Sequence, residues 1–184
     1  MLDLEILGHM LRESTLIPIE TEYDKHFVTL NEPQSPDSYA IIRGIPSNAI
    51  VIKVDSFESP DKIFKGANGE CKRADYVIVA NDGNKKRIIY IELKRTKNSW
   101  NEIVKQLTGS LCFIRYCQEI GKTFWKETNF LKDYQQRFVS IGHTGIPKRK
   151  TRIEKLKGRH DSPEKAMKIA WPRYLQYNQI AGGE

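Results

Sequence analysis

Apolar residues first crowd the amino-terminal stretch. Leu2, Leu4, Ile6, Leu7, Met10 and Leu11 predict a short helix with a wide apolar face within residues 1–16. Asn31 to Ser38, with two prolines, reads as a loop. Ala49-Ile50-Val51-Ile52-Lys53-Val54 reads as a strand, followed by a second loop at Ser56 to Asp61. Phe64 to Glu70, with two glycines, leads into Ala74-Asp75-Tyr76-Val77-Ile78-Val79. After the turn signal Asn81-Asp82-Gly83-Asn84 comes Ile88-Ile89-Tyr90-Ile91-Glu92-Leu93-Lys94. Both runs are apolar on both faces, the pattern of central strands.

A helix follows. Ser99 and Glu102 make a Ser-x-x-Glu capping signal. Ile103, Leu107, Leu111, Ile114 and Cys117 recur at helical spacing, and Gly121 is a plausible stop. Arg137-Phe138-Val139-Ser140-Ile141 predicts another strand, with turn-prone residues from Gly142 to Pro147. Ser162-Pro163-Glu164 predicts a further helix ending near Trp171-Pro172. Ala181-Gly182-Gly183-Glu184 should be loose. These elements give an α/β class: a mixed four- to five-stranded sheet flanked by helices. The chain reads as a single domain of 184 residues, with its core at about 45–145 and a basic extension at 146–184.

The charges inside this pattern change the picture. Asp75 opens one central strand, and Glu92 and Lys94 close the next. Side chains alternate along a strand, so Glu92 and Lys94 share a face. A hairpin centred on the Asp-Gly turn pairs residues whose numbers total 167, which sets Asp75 opposite Glu92. Opposed side chains have Cβ atoms about 4.5–5.5 Å apart, and two carboxylates that close repel unless a cation lies between them. Oxygen donors with neither Cys nor His beside them suit Mg²⁺ or Mn²⁺. The plainer reading is a solvated strand end with Asp75 capping a turn. It fits poorly with strands that read as buried on both faces, where charge without partners is costly.

At these residues the sequence resembles the PD-(D/E)XK nuclease superfamily, whose pattern is an acid at the start of one strand and Glu-x-Lys on the next. Here that is Ala74-Asp75, with alanine where the family usually has proline, and Glu92-Leu93-Lys94. The match covers roughly residues 70 to 110. It implies a restriction-endonuclease-like core and a metal-dependent nuclease, endonuclease rather than exonuclease. By the resemblance, Asp75, Glu92 and the Leu93 carbonyl would hold Mg²⁺ or Mn²⁺, and Lys94 would orient or deprotonate the attacking water or stabilise the pentavalent phosphate. RecB-type members carry a glutamine on the following helix that approaches the site, and Gln106 is similar; an exposed polar helix residue is the alternative. Those members have Tyr four residues later, where this chain has Ser110. Many members need an extra upstream acid, for which Glu70 is the nearest candidate, with Glu58 and Glu22 behind it.

Net charge is +7 overall, but it is unevenly spread. Residues 1–70 hold 6 Lys/Arg against 12 Asp/Glu, and residues 71–184 hold 24 against 11. A basic surface of this kind attracts phosphate backbones by releasing counterions. Lys72 and Arg73 adjoin the first acid. Lys148, Arg149, Lys150 and Arg152 form a denser stretch continuing to Lys155, Lys157, Arg159 and His160. Both groups are expected to contact nucleic acid, DNA before RNA, through its backbone and with little sequence preference; a solvated loop is the plainer account of the second.

Other chemistries lose ground. Cys71, Cys112 and Cys117 are an odd set without Cys-x-x-Cys spacing and cannot supply the four ligands of the iron–sulfur cluster found in some RecB-type nucleases. His9, His26, His143 and His160 are scattered, and neither a Gly-rich phosphate loop, a Ser–His–Asp pattern nor a Rossmann fingerprint appears. Without a signal peptide or a membrane-length apolar run in the sequence, a cytoplasmic protein is expected. Cutting both strands of a duplex generally takes two sites, which is compatible with a homodimer or a larger assembly. The alternative function is a non-catalytic nucleic-acid-binding or assembly subunit that keeps the fold.

Overall fold

The computed structural model describes residues 2–31, 39–94, 99–142, 158–170 and 174–182. Three layers stack: helices, a large sheet and a small sheet. In chain order the elements are α1 (Asp3–Met10), β1 (Leu16–Ile17), β2 (Glu20–Glu22), β3 (Lys25–Asn31), β4 (Tyr39–Arg43), β5 (Ala49–Lys53), β6 (Tyr76–Asn81), β7 (Lys86–Lys94), α2 (Trp100–Phe124), β8 (Gln135–Gly142), β9 (Met167–Ala170), β10 (Tyr174–Gln176) and α3 (Tyr177–Ala181). The large mixed sheet has six strands in the order β1-β5-β6-β7-β8-β9, and the small mixed sheet has four in the order β10-β4-β3-β2. The class is α/β as expected, with more strands than the four or five anticipated.

Alternation along the central strands explains the layering. From β7, Ile89, Ile91 and Leu93 point to the small sheet, meeting Val28, Leu30 and Ile42. Ile88 and Tyr90 point the other way, to Leu7 of α1 and Leu107 and Ile114 of α2. Both faces of β7 are therefore covered, and Ile88 through Leu93 are all buried. The β6–β7 hairpin has the predicted register: Tyr76 pairs with Ile91 and Asn81 with Lys86, every pair totalling 167.

α2 starts where expected, with the Ser99 Oγ accepting from the Glu102 amide at 3.3 Å. It does not stop at Gly121 but runs on to Phe124. Gly121 has a different task. A Cβ there would come within 2.3 Å of the Phe130 ring, so this glycine seats the ring against the helix.

The carboxy-terminal part differs most from expectation. The Ser162-Pro163-Glu164 start signal makes only a 3-10 turn, Pro163–Lys165. A strand then follows instead of a helix, because Met167 and Ile169 alternate with exposed Lys168 and Ala170. β9 joins the large sheet parallel to β8, and β10 joins the small sheet parallel to β4. Residues 167–170 and 174–176 of the expected basic extension are thus strands of the large and the small sheet, and Tyr177, Ile180 and Ala181 of α3 pack into the core between them. The Arg87 side chain fastens this region, its Nε donating to the Ala181 carbonyl at 2.9 Å. Residues 32–38, within the loop expected at Asn31 to Ser38, lie outside the described residues. Among the described residues, no helix is long and apolar enough to cross a membrane.

Candidate active site

The hairpin that carries the register also builds the site. Asp75 immediately precedes β6, and the register of that strand continues to place it across from Glu92. Its Oδ2 accepts from the Leu93 amide at 2.7 Å, which ties the carboxylate to the end of β7. Glu92 is fully buried, although its neighbours along the strand are hydrocarbon and aromatic. The Lys94 ammonium lies 2.6 Å from Glu92 Oε1, with the lysine side chain 20 % exposed. Two residues apart on one strand, they share the face turned to α2. The pair is charge-assisted and largely desolvated, where removing one member is expensive.

α2 is clamped over this strand end. Ser110 Oγ accepts from the Ala74 amide at 2.8 Å, one residue before Asp75. Gly109 lies so close to the same segment that a Cβ would fall 1.7 Å from the Lys72 carbonyl oxygen. The sequence reading took Ser110 only as the residue standing where tyrosine is usual. The structure gives it work of its own: it fastens the helix to the segment that carries Asp75. One turn earlier on the helix, Gln106 has its Oε1 buried without a hydrogen-bond partner. A buried, unsatisfied amide oxygen costs about 1–3 kcal/mol, and Gln106 is half-buried where the alternative reading had an exposed helix residue.

The expected flanking residues behave differently from one another. Glu70 is exposed, and its carboxylate accepts from the Gly66 and Asn68 amides at 3.0 and 2.8 Å. Hydrogen bonds from backbone amides of its own loop, those of Glu70 and Asn68 foremost, hold this carboxyl below its usual range. Its oxygens organise a loop beside α2, and it is not gathered with Asp75 and Glu92 into one acidic cluster. Lys72 pairs with Glu102 of α2. The Arg73 guanidinium stands 5.2 Å from the centre of the Phe57 ring, and burial lowers its pKa. Lys148, Arg149, Lys150 and Arg152, together with His143, lie outside the described residues.

Two residues that the sequence reading did not pick out fall in line with the acids. In the parallel register Glu92 is partnered by Ser140 of β8, and Ser140 by Lys168 of β9. Val139, Ile141, Met167 and Ile169 all point to the small sheet, so Ser140 and Lys168 point to α2. Asp75, Glu92, Ser140 and Lys168 make one row across four adjacent strands. Ser140 could have been noticed as a lone hydroxyl in an apolar run; Lys168 could not, because its strand was read as helix.

A divalent cation can be tested against this donor set. Among the described residues, no group of three or more His, Cys, Asp or Glu side chains could hold a metal ion. What is present is two carboxylates borne at opposed positions of the hairpin and the Leu93 carbonyl, all hard oxygen donors. That suits Mg²⁺ or Mn²⁺, since Mg²⁺ is commonly held by one or two carboxylates with water and substrate phosphate completing its shell. The set does not suit zinc, which takes thiolate and imidazole ligands. No protein-family model matches the chain, and neither a curated protein nor a solved structure matches it.

Proposed function

We propose that this protein is a metal-dependent nuclease that hydrolyses phosphodiester bonds in DNA, with a restriction-endonuclease-like core of the PD-(D/E)XK kind. One observation carries the reading: a fully buried Glu92, ion-paired with Lys94 at 2.6 Å, lies across the hairpin from Asp75 at the edge of an apolar core. Nothing in the packing of this end of β7 asks for charge; on the opposite face the residues beside Glu92 and Lys94 are Ile91 and Leu93.

Asp75, Glu92 and the Leu93 carbonyl would hold Mg²⁺ or Mn²⁺. Such a cation, when bound, lowers the pKa of the attacking water and neutralises charge growing on the phosphate. The chain's own residues do the rest. The Leu93 amide fixes Asp75 Oδ2, which limits the carboxylate to one orientation. Glu92 holds the Lys94 ammonium at the rim of the buried zone, where it can orient water or meet the extra negative charge of the pentavalent phosphate. The Gln106 amide, one turn from the helix clamp, offers an acceptor to that water or to a sugar hydroxyl.

The test is cleavage of plasmid and single-stranded DNA, with RNA alongside, in Mg²⁺ or Mn²⁺. Asp75→Asn keeps an acceptor for the Leu93 amide, and Lys94→Met keeps the stem of the side chain. Each should lower cleavage at least about a hundredfold while the protein stays folded by circular dichroism. A wild-type protein that binds DNA yet leaves it uncut with either metal would instead be a nuclease-like binding subunit.

A further inference from the structure

Lys168, like Ser140, is a member of the row that the proposed cleavage chemistry does not use. It is exposed, while Met167 and Ile169 on either side are buried. Its ammonium stands 3.7 Å from the centre of the Trp100 ring, at the first turn of α2. A cation over an indole face is held by the ring's quadrupole, and this contact leaves the ammonium N–H groups free to donate. Among the described residues no carboxylate forms an ion pair with Lys168, whereas Lys72 and Lys94 are each paired with a glutamate. The lysine is therefore positioned without being neutralised. Adjacent strands are about 4.8 Å apart, so two strand steps put the Lys168 backbone about 10 Å from that of Glu92, on the same face.

We propose that Lys168, steadied by Trp100, binds a backbone phosphate of the DNA next to the one being cut. This rests on the nuclease reading of Asp75, Glu92 and Lys94 and adds to it where the strand leaves the site: along the row, over Ser140, towards β9. The contact is to phosphate, so it fixes the register of the strand in the site without reading bases.

Binding and cutting are measured separately. Binding of labelled single-stranded and duplex oligonucleotides is followed as a function of salt in the Asp75→Asn protein, with Lys168→Met and Lys168→Arg added to it. Lys168→Met should weaken binding several-fold and reduce the slope of log K against log salt by about 0.7 on single strands or about 0.9 on duplex; Lys168→Arg should restore both. A merely structural role would change thermal stability and leave the salt slope where it was. In the otherwise wild-type protein, Lys168→Met should raise KM and leave kcat within about twofold. Binding and slope unchanged in Lys168→Met, or weakened binding with an unchanged slope, would overturn the inference, as would failure of the protein to bind either oligonucleotide. If the wild-type protein does not cut but the Lys168-dependent slope is seen, the phosphate contact stands and the nuclease reading falls.

Discussion

The two faces of β7 make a controlled comparison within one strand. Ile89, Ile91 and Leu93 enter a core made with the small sheet, without a break in its hydrocarbon. Ile88 and Tyr90 begin an equally apolar face under the helices, but Glu92 and Lys94 finish it with an ion pair. Backbone and register are shared, and Leu93 and Glu92 are equally buried; what differs is the chemistry of alternate residues. One face is built to hold the fold. The other gives its last two positions to charge that a hydrophobic replacement would serve better in stability terms.

Neighbouring substitutions should separate these roles most sharply. Ile91→Ala opens a cavity on the small-sheet face and should lose about 2–5 kcal/mol in urea unfolding while keeping cleavage per folded molecule. Glu92→Gln, one residue on, should lose cleavage with a smaller shift in midpoint. Equal effects of the two on both readouts would erase the distinction between the faces.

Next in size is the clamp of α2. Gly109→Ala gains about 1 kcal/mol of helix propensity. It also drives a methyl group into the Lys72 carbonyl oxygen, a backbone atom, with overpacking of about 3 kcal/mol. A net loss of about 2 kcal/mol is expected, with reduced cleavage because the displaced segment carries Asp75. A stability gain in Gly109→Ala would mean the helix sits further from that segment.

Alkaline pH distinguishes the layers more gently. Burial raises the Cys117 thiol, under α2, from 9.0 to about 12. Burial likewise raises the Tyr177 phenol, on the small-sheet side, from 10.0 to about 12. In each case the folded protein retains a proton that the unfolded chain gives up, so the contribution is whole below the unfolded value and is lost as pH rises towards the folded one. The helix layer should start to weaken near pH 9 and the small-sheet layer near pH 10. Urea midpoints from pH 8 to 11 for wild type and Cys117→Ala check this; an identical slope below pH 10 would remove the thiol as its source.

Two tyrosines give the smallest contrast. Tyr90 stacks on Phe138 at 4.5 Å and has its hydroxyl buried without a hydrogen-bond partner, so Tyr90→Phe should be neutral or stabilise by up to about 1 kcal/mol. Tyr76, on the other face, donates to the Asn31 carbonyl at 2.7 Å, and Tyr76→Phe should lose about 1 kcal/mol. Thermal melts of the pair suffice, and a reversed order would contradict the assignment.

Local rules made the hairpin and the start of α2 legible in the sequence. A short turn sets the β6–β7 register, and a Ser cap sets the helix start, so Asp75, Glu92 and Lys94 could be placed from residue numbers alone. The small sheet was not legible. Lys25–Asn31 mixes His26 and Thr29 with Val28 and Leu30, and its neighbour β4 is flanked on the other side by β10, which pairs with it across some 130 residues of chain. Parallel pairing of this sort leaves no turn to read. The same holds for β8 and β9, which is why Ser140 and Lys168 came only with the structure. At Gly121 and at Ser162-Pro163-Glu164 the local signals are real, but tertiary packing put them to other uses: a seat for a ring and a single 3-10 turn.

Because β9 and β10 come well after the β6–β7 hairpin in the chain and each forms an edge of one sheet, assembly has an order imposed on it. A growing chain on the ribosome that has not yet delivered residue 168 already carries the hairpin with both acids and its lysine. It still lacks the outermost strand beside Ser140 and the parallel partner of β4. Whatever the acids do, Lys168 joins their row only after they are already paired across the hairpin.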